Sequence, residues 1–187
     1  PLPEISAETQ ALHDTLVIVD LHSDTLLWKR SLLNPVDRGH MDLPRLQTGN
    51  VALQVFSSVT KTPTDQNYDS NSADGDNITS LVIAQLQPTH TWNSLLQRSL
   101  YHGKKLDDAV AASDGRLEKI VSRLDIENLK TRRAADGPRP VGAMLSIEGL
   151  HNLEGKLANL DKLHAAGFRM AGLTHFFDND LAGSMHG

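Results

Sequence analysis

LVIVDLHSD (residues 16–24) is a short run rich in Val and Ile that ends in a histidine and an aspartate two positions apart. An apolar run of this length without alternation reads as a buried strand of a parallel sheet. VALQVFSSV (51–59), VGAMLSIEG (141–149) and FRMAGLTH (168–175) have the same character. Helical patterns separate them. The order is strand, strand, helices, strand, helix, strand, which argues for βα units and an α/β fold.

Working outward, residues 1–15 read as a leader, loose at first and with a short helix over 8–15. Residues 31–49 read mostly as loop with one helical turn, because two prolines and two glycines interrupt them. KTPTDQNYDSNSADGDN (61–77) is polar and turn-rich, a surface excursion. From Ile78 to Ser113 apolar residues recur at three- and four-residue steps, and Pro88 should interrupt that helix. Asp114-Gly115 marks a break, a second short segment of the helical stretch is expected around 116–121, a further short helix over 125–132, a loop over 135–140, and an amphipathic helix over 157–166 stopped by Gly167. No helix follows the fourth strand. The expectation is therefore that the chain, 1–187, forms the N-terminal part of one larger domain.

Composition narrows the chemistry. The 187 residues carry 18 basic and 23 acidic side chains, interspersed, for a net charge of −5. That balance offers no footprint for nucleic acid. No apolar run reaches the roughly 20 residues of a membrane-spanning segment. There is no cysteine, so disulfides, thiolate metal sites and thiol nucleophiles are excluded, and a cytoplasmic or periplasmic setting is equally compatible. Any metal must be held by carboxylates and by some of the nine histidines.

Three of the four strand candidates end in groups that bind metals or move protons. The first ends in His22 and Asp24, the third in Glu148, the fourth in His175. In barrels of alternating strands and helices the active site lies at the C-terminal strand ends. On a strand, residues two apart share a face, so His22 and Asp24 could share one divalent cation. The bland alternative is a polar turn with a capping aspartate. Glu148 follows AMLSI, where a carboxylate is costly unless it is paired or metal-bound; a salt bridge is the alternative. His175 could be a ligand, an acid–base group or a hydrogen-bond donor to a transition state, or simply a satisfied core histidine.

His40 and Asp42 repeat the His-x-Asp spacing, but no apolar run precedes them, and Asp42 is placed to cap the LPRL turn. His151 fits a loop and a supporting role. His13, His90, His102, His164 and His186 have no acidic partner at ligand spacing and read as surface or packing residues. Nucleotide-binding glycine motifs, a GxSxG elbow and HExxH are all missing. DSNSADGDN (69–77) lacks the final glutamate of a calcium loop.

Taken in order, DLHSDTL (20–26), HMDLPRLQTGNVALQVFS (40–57), SIEGLHNLEG (146–155) and LDKLHAAGFRMAGLTHFFDNDLAGS (160–184) resemble the membrane dipeptidase (renal dipeptidase) family, peptidase family M19. The resemblance implies a (β/α)8 TIM-type barrel with a binuclear zinc centre, two Zn2+ per complete site. By motif, His22 and Asp24 would bind the first zinc, Glu148 would bridge both, and His175 would contact substrate and steady the tetrahedral intermediate. The implied substrate is a dipeptide. The family takes two further histidines and a proton-shuttling aspartate from later strands, so this chain is expected to hold half the site and to be incomplete for catalysis alone. An open sheet edge leads us to expect a homo-oligomer. Two other readings stay open: another amidohydrolase-type enzyme acting on N-acyl amino acids or lactams, and a metal-free binding or structural barrel.

Overall fold

VALQVFSSV becomes the strand β2 (Val51–Val59), with every residue from Gln54 to Val59 buried. A strand covered on both faces must lie inside a layered sheet. In the computed structural model, which describes residues 3–187, four more strands join it: β1 (Ile18–Asp20), β3 (Leu117–Lys119), β4 (Val141–Glu148) and β5 (Phe168–Ala171). Six helices connect and cover them: α1 (Ala7–Thr15), α2 (Leu43–Thr48), α3 (Asn77–Ala84), α4 (Leu95–Ala112), α5 (Arg123–Ala134) and α6 (Ala158–Ala165). Single 3-10 turns lie at Thr25–Leu27, Thr89–Thr91 and Leu150–Leu153. The first two residues of the expected leader lie outside the described residues.

All pairings between these strands are parallel. β2 stands between β1 and β4, in register from Leu53 opposite Gly142 to Val59 opposite Glu148. The other edge of β4 is shared. Its first residues pair with β3 and its later ones with β5. The result is an α/β sheet with its carboxyl ends at one side. The core lies between sheet and helices and is filled by Leu43, Phe56, Leu106, Leu145, Leu163 and Phe168, all buried.

Three elements differ from the sequence reading. β1 is three residues long, where the apolar run suggested a strand through residue 24. Val17, Val19 and Leu21 are 78%, 46% and 62% exposed, so the hydrophobicity of that run is not all spent on burial. β3 falls within the short segment expected over 116–121 in the helical stretch, but as a strand, because three residues with one buried side chain carry no periodicity to tell the two apart. β5 stops at Ala171, short of the expected strand end at His175, and only Phe168 of it is buried, because the chain leaves the sheet through Gly172. Elsewhere the expectations hold. Pro88 separates α3 from α4, Gly167 takes φ +102° after α6, and residues 61–76 form an excursion without helix or strand.

Two buried polar networks tie the carboxyl end of the sheet to α4. Arg98, 1% exposed, places all five of its N–H groups. Nε donates to Thr91 O (2.8 Å), Nη1 to Thr60 O (2.6 Å) and Asp76 Oδ2 (2.8 Å), and Nη2 to Thr79 Oγ1 (2.6 Å) and Trp92 O (2.7 Å). Burial alone raises the Asp76 carboxyl, but the hydrogen bonds from Arg98, Thr79 and the Ile78 amide outweigh it and hold the group below its ordinary 3.8. In the second network Ser58 Oγ lies 2.8 Å from His102 Nδ1 and 3.0 Å from Ser99 Oγ, and Asn152 Nδ2 donates to Ser99 Oγ at 2.8 Å. Complete burial, with smaller contributions from Lys105 and Arg98, holds His102 neutral, with its pKa lowered to about 3.

Candidate metal centre

Glu148 is the last residue of β4, beside the last residue of β2. The chain turns there through Gly149 at φ +88°, where a Cβ would fall 2.6 Å from His151 Nδ1 and 3.0 Å from His175 Cβ. Only glycine takes that conformation readily, and only glycine leaves room for both rings. The turn then delivers His151, whose Nε2 lies 3.0 Å from Thr60 Oγ1 just past β2. Its other ring nitrogen is buried without a partner, and burial, followed by the His175 and Lys61 charges, lowers its pKa to about 4. The supporting role expected for His151 fits this geometry.

His22 and Asp24 arrive from β1, but not by strand alternation. The strand ends at Asp20, whose Oδ1 accepts the His22 amide at 3.0 Å. Ser23 O then accepts the Ser57 amide of β2 at 2.8 Å, and Asp24 stands at the start of the 3-10 turn that follows without its side chain capping it. His22 and Asp24 thus converge through a hydrogen-bonded turn docked on β2. His175 stands four residues beyond β5, in an isolated antiparallel bridge with Phe177.

The structure brings the four predicted residues together. His22 Nε2 lies 3.3 Å from Asp24 Oδ1 and 3.4 Å from Glu148 Oε2, and His175 Nδ1 lies 3.2 Å from Glu148 Oε1. Ligand atoms of His22, Asp24 and Glu148 all fall within 4.8 Å of one another, the one such group among the described residues. Asp24 Oδ1 is buried and accepts no hydrogen bond. Burial, then the Asp24 charge, raises the Glu148 carboxyl, with His22 partly opposing. Burial lowers His175, with Asp24 acting the other way. Two carboxylates crowd together here, one with an unpartnered buried oxygen, beside an imidazole. That donor set fits a divalent cation bound by nitrogen and oxygen.

The repeated spacing at His40 and Asp42 resolves differently. Asp42 is fully buried and caps α2, accepting from the Arg45 amide (3.0 Å), the Val36 amide (3.4 Å) and the Arg45 guanidinium. Its carboxylate is satisfied and does not join a cluster. Among the other histidines, His102 is entirely buried in packing. Sequence reasoning gave no sign of Ser58, Ser99 and Asn152 beneath the site. They are scattered singly, and no spacing relates them.

The model of the membrane dipeptidase family, peptidase family M19, matches residues 6–186. The chain belongs to this family. Three solved structures share the fold of this M19 chain. Dipeptidase AC, a metallopeptidase of family M19, is 19% identical over 86% of this chain and 44% of its own, with a TM-score of 0.60. A metallopeptidase from Rhodobacter sphaeroides, solved with a phosphinate mimic of the dipeptide L-Ala-D-Ala, is 21% identical over 86% and 46%, with a TM-score of 0.57. The probable dipeptidase PvdM from Pseudomonas aeruginosa is 17% identical over 94% and 38%, with a TM-score of 0.65. The M19 chain thus spans less than half the length of each. Its open parallel sheet is the partial barrel expected for the family. No curated protein matches the sequence.

Proposed function

We propose that the protein supplies one half of a zinc dipeptidase site, and that the complete site, with two zinc ions, hydrolyses the amide bond of dipeptides. One observation carries this reading. His22, Asp24 and Glu148 converge at the carboxyl ends of parallel strands, and Asp24 Oδ1 is buried there, 3.3 Å from His22 Nε2 but accepting no hydrogen bond. His22 and Asp24 would hold one ion, and Glu148 would reach both. Oε2 of Glu148 faces the ligand His22, and Oε1 faces His175. When bound, such cations lower the pKa of water toward neutrality and polarise a carbonyl.

The chain's own residues do the rest. Glu148 Oε1 lies beside His175 Nδ1, at 3.2 Å, so Nε2 is the ring nitrogen left to meet substrate. It donates to a developing oxyanion when the ring is charged and accepts when it is neutral. Phe176 lies against the His175 ring, with centroids 3.9 Å apart, and limits its rotation. Gly149 keeps space for that ring beside His151.

The test combines zinc content with hydrolysis of dipeptides such as L-Ala-D-Ala. Elemental analysis should find zinc, and His22→Ala, Asp24→Ala or Glu148→Gln should each lower its uptake by tenfold or more. In a protein carrying the whole site, His175→Ala should reduce kcat more than it raises KM. Zinc uptake that is indifferent to all three ligand substitutions, or an unchanged kcat in His175→Ala, would refute the reading.

A further inference from the structure

The 3-10 turn at Thr25–Leu27 follows the metal pair directly, and its outward carbonyls have no partner within the turn. Side chains from α4 and the end of α3 take them up. Lys105 Nζ donates to Leu26 O (2.5 Å) and Trp28 O (2.7 Å). Gln85 Nε2 and Gln87 Nε2 both donate to Leu27 O, at 3.0 and 3.1 Å, and Gln85 Oε1 accepts the Lys29 amide at 2.6 Å. Three side chains from distant segments therefore grip four consecutive residues of loop, Leu26 to Lys29.

Other observations show that the grip carries costs. Gln87 is buried, and its Oε1 has no partner, so its amide is oriented for Leu27 O at the expense of its own acceptor. Leu86, between the two glutamines, sits at φ +55° with its side chain 77% exposed. A leucine is strained there, and no buried contact of its own explains the choice. The conformation turns both neighbours toward Leu27. Lys105 gives up much of its hydration, and burial lowers its pKa to about 8.

The turn is coupled to the ligands by backbone. Asp24 O accepts the Leu27 amide at 2.9 Å, the Thr25 amide donates to Ser23 Oγ at 3.3 Å, and Ser23 O is fixed to the Ser57 amide. A shift of the turn moves Asp24 with it, and with Asp24 the spacing to His22 and Glu148. We propose that Lys105, Gln85 and Gln87 are positioning residues for the metal site: they clamp the turn after His22 and Asp24 and so set the two ligands against Glu148. This rests on the metal-site reading above. Groups that orient ligands from outside commonly change metal affinity tenfold or more when removed.

The experiment uses cobalt(II) as the probe, titrated by its visible absorption, on the wild type and on Lys105→Met, Gln87→Leu and Lys105→Arg. Amide hydrogen exchange is measured on the same proteins without metal. The first two variants should bind cobalt about tenfold more weakly. In them the Leu27, Lys29 and Ser57 amides should exchange at least tenfold faster, while the Ile120 amide, bonded to Ala143 O across the far edge of the sheet, stays protected. Lys105→Arg keeps a cationic donor and should recover most of both effects. Faster exchange with unchanged cobalt affinity would overturn the proposal, as would weaker cobalt binding with unchanged exchange. Failure of the wild type to take up cobalt would sink the metal reading and the proposal with it. Equal uptake by all four proteins would sink the proposal alone.

Discussion

Replacing Arg98 by methionine tests how the excursion over residues 61–76 is held above the strand ends. The guanidinium is 1% exposed and satisfies five acceptors, among them the Asp76 carboxylate, whose side chain is 18% exposed. Methionine fills much of the volume but donates nothing. It leaves Asp76 charged without its partner and strands the carbonyls of Thr60, Thr91 and Trp92. Removing one member of a buried ion pair costs about 3–5 kcal/mol, chiefly for the charge left behind. That is a large share of the roughly 5–15 kcal/mol that separates folded from unfolded domains. The pH dependence identifies the cause. Asp76 is held below its ordinary 3.8 in the fold, so its contribution is fully present above that value and is lost as pH falls through the folded pKa. Urea unfolding at pH 7 should show the full loss, and the difference between variant and wild type should shrink below about pH 4. Arg98→Lys, which can keep the ion pair but not all five bonds, should lie between. A loss under about 1 kcal/mol, or a difference constant from pH 7 to pH 3, would refute the reasoning.

Four further outcomes are expected. Gly149→Ala should cost about 2 kcal/mol or more, from the positive φ alone, and should weaken metal uptake because Glu148 precedes it; denaturant unfolding and zinc content check both. Asp42→Ala should cost about 1–2 kcal/mol as a lost cap yet leave zinc content unchanged, whereas His22→Ala should do the reverse. Leu86→Gly should raise stability by about 0.5–1 kcal/mol by relieving the left-handed leucine, as thermal unfolding would show. Below pH 6.5 the unfolded chain binds a proton that His102 refuses in the fold, so stability should fall toward pH 3. His102→Gln should flatten that slope by up to about 1.4 kcal/mol per pH unit.

β2 and β4 are legible in sequence because both are buried on two faces, so the apolar run and the strand coincide within a residue. β1 is not, because Val17, Val19 and Leu21 are apolar without being buried. β3 is not legible as a strand, because its one buried residue carries no pattern. The four residues that converge could be picked out since each follows an apolar run, and His40 could be set aside since it does not. Strand periodicity, however, gave the wrong cause for the closeness of His22 and Asp24. A turn held by Ser57 and Asp20 brings them together. The clamp and the two buried networks could not be read at all. Lys105, Gln85, Gln87, Arg98 and His102 are ordinary helix and loop residues in sequence, and only the packing of α4 beneath the strand ends gives them partners.

The pairing of β2 with β4 also constrains how the molecule is made. Leu53 finds Gly142 across roughly ninety positions of chain, and contacts so distant in sequence slow folding. While a ribosome extends the chain, β2 waits unpaired on this side until β4 has emerged. Its both-faced apolar surface is exposed through synthesis of α3, α4 and α5. At about 5–20 residues per second that wait lasts roughly 4–18 seconds, long enough for a chaperone to matter. The helices made in the interval have caps of their own, at Asp76, Ser94 and Ser122, so they can form before the sheet that will hold them.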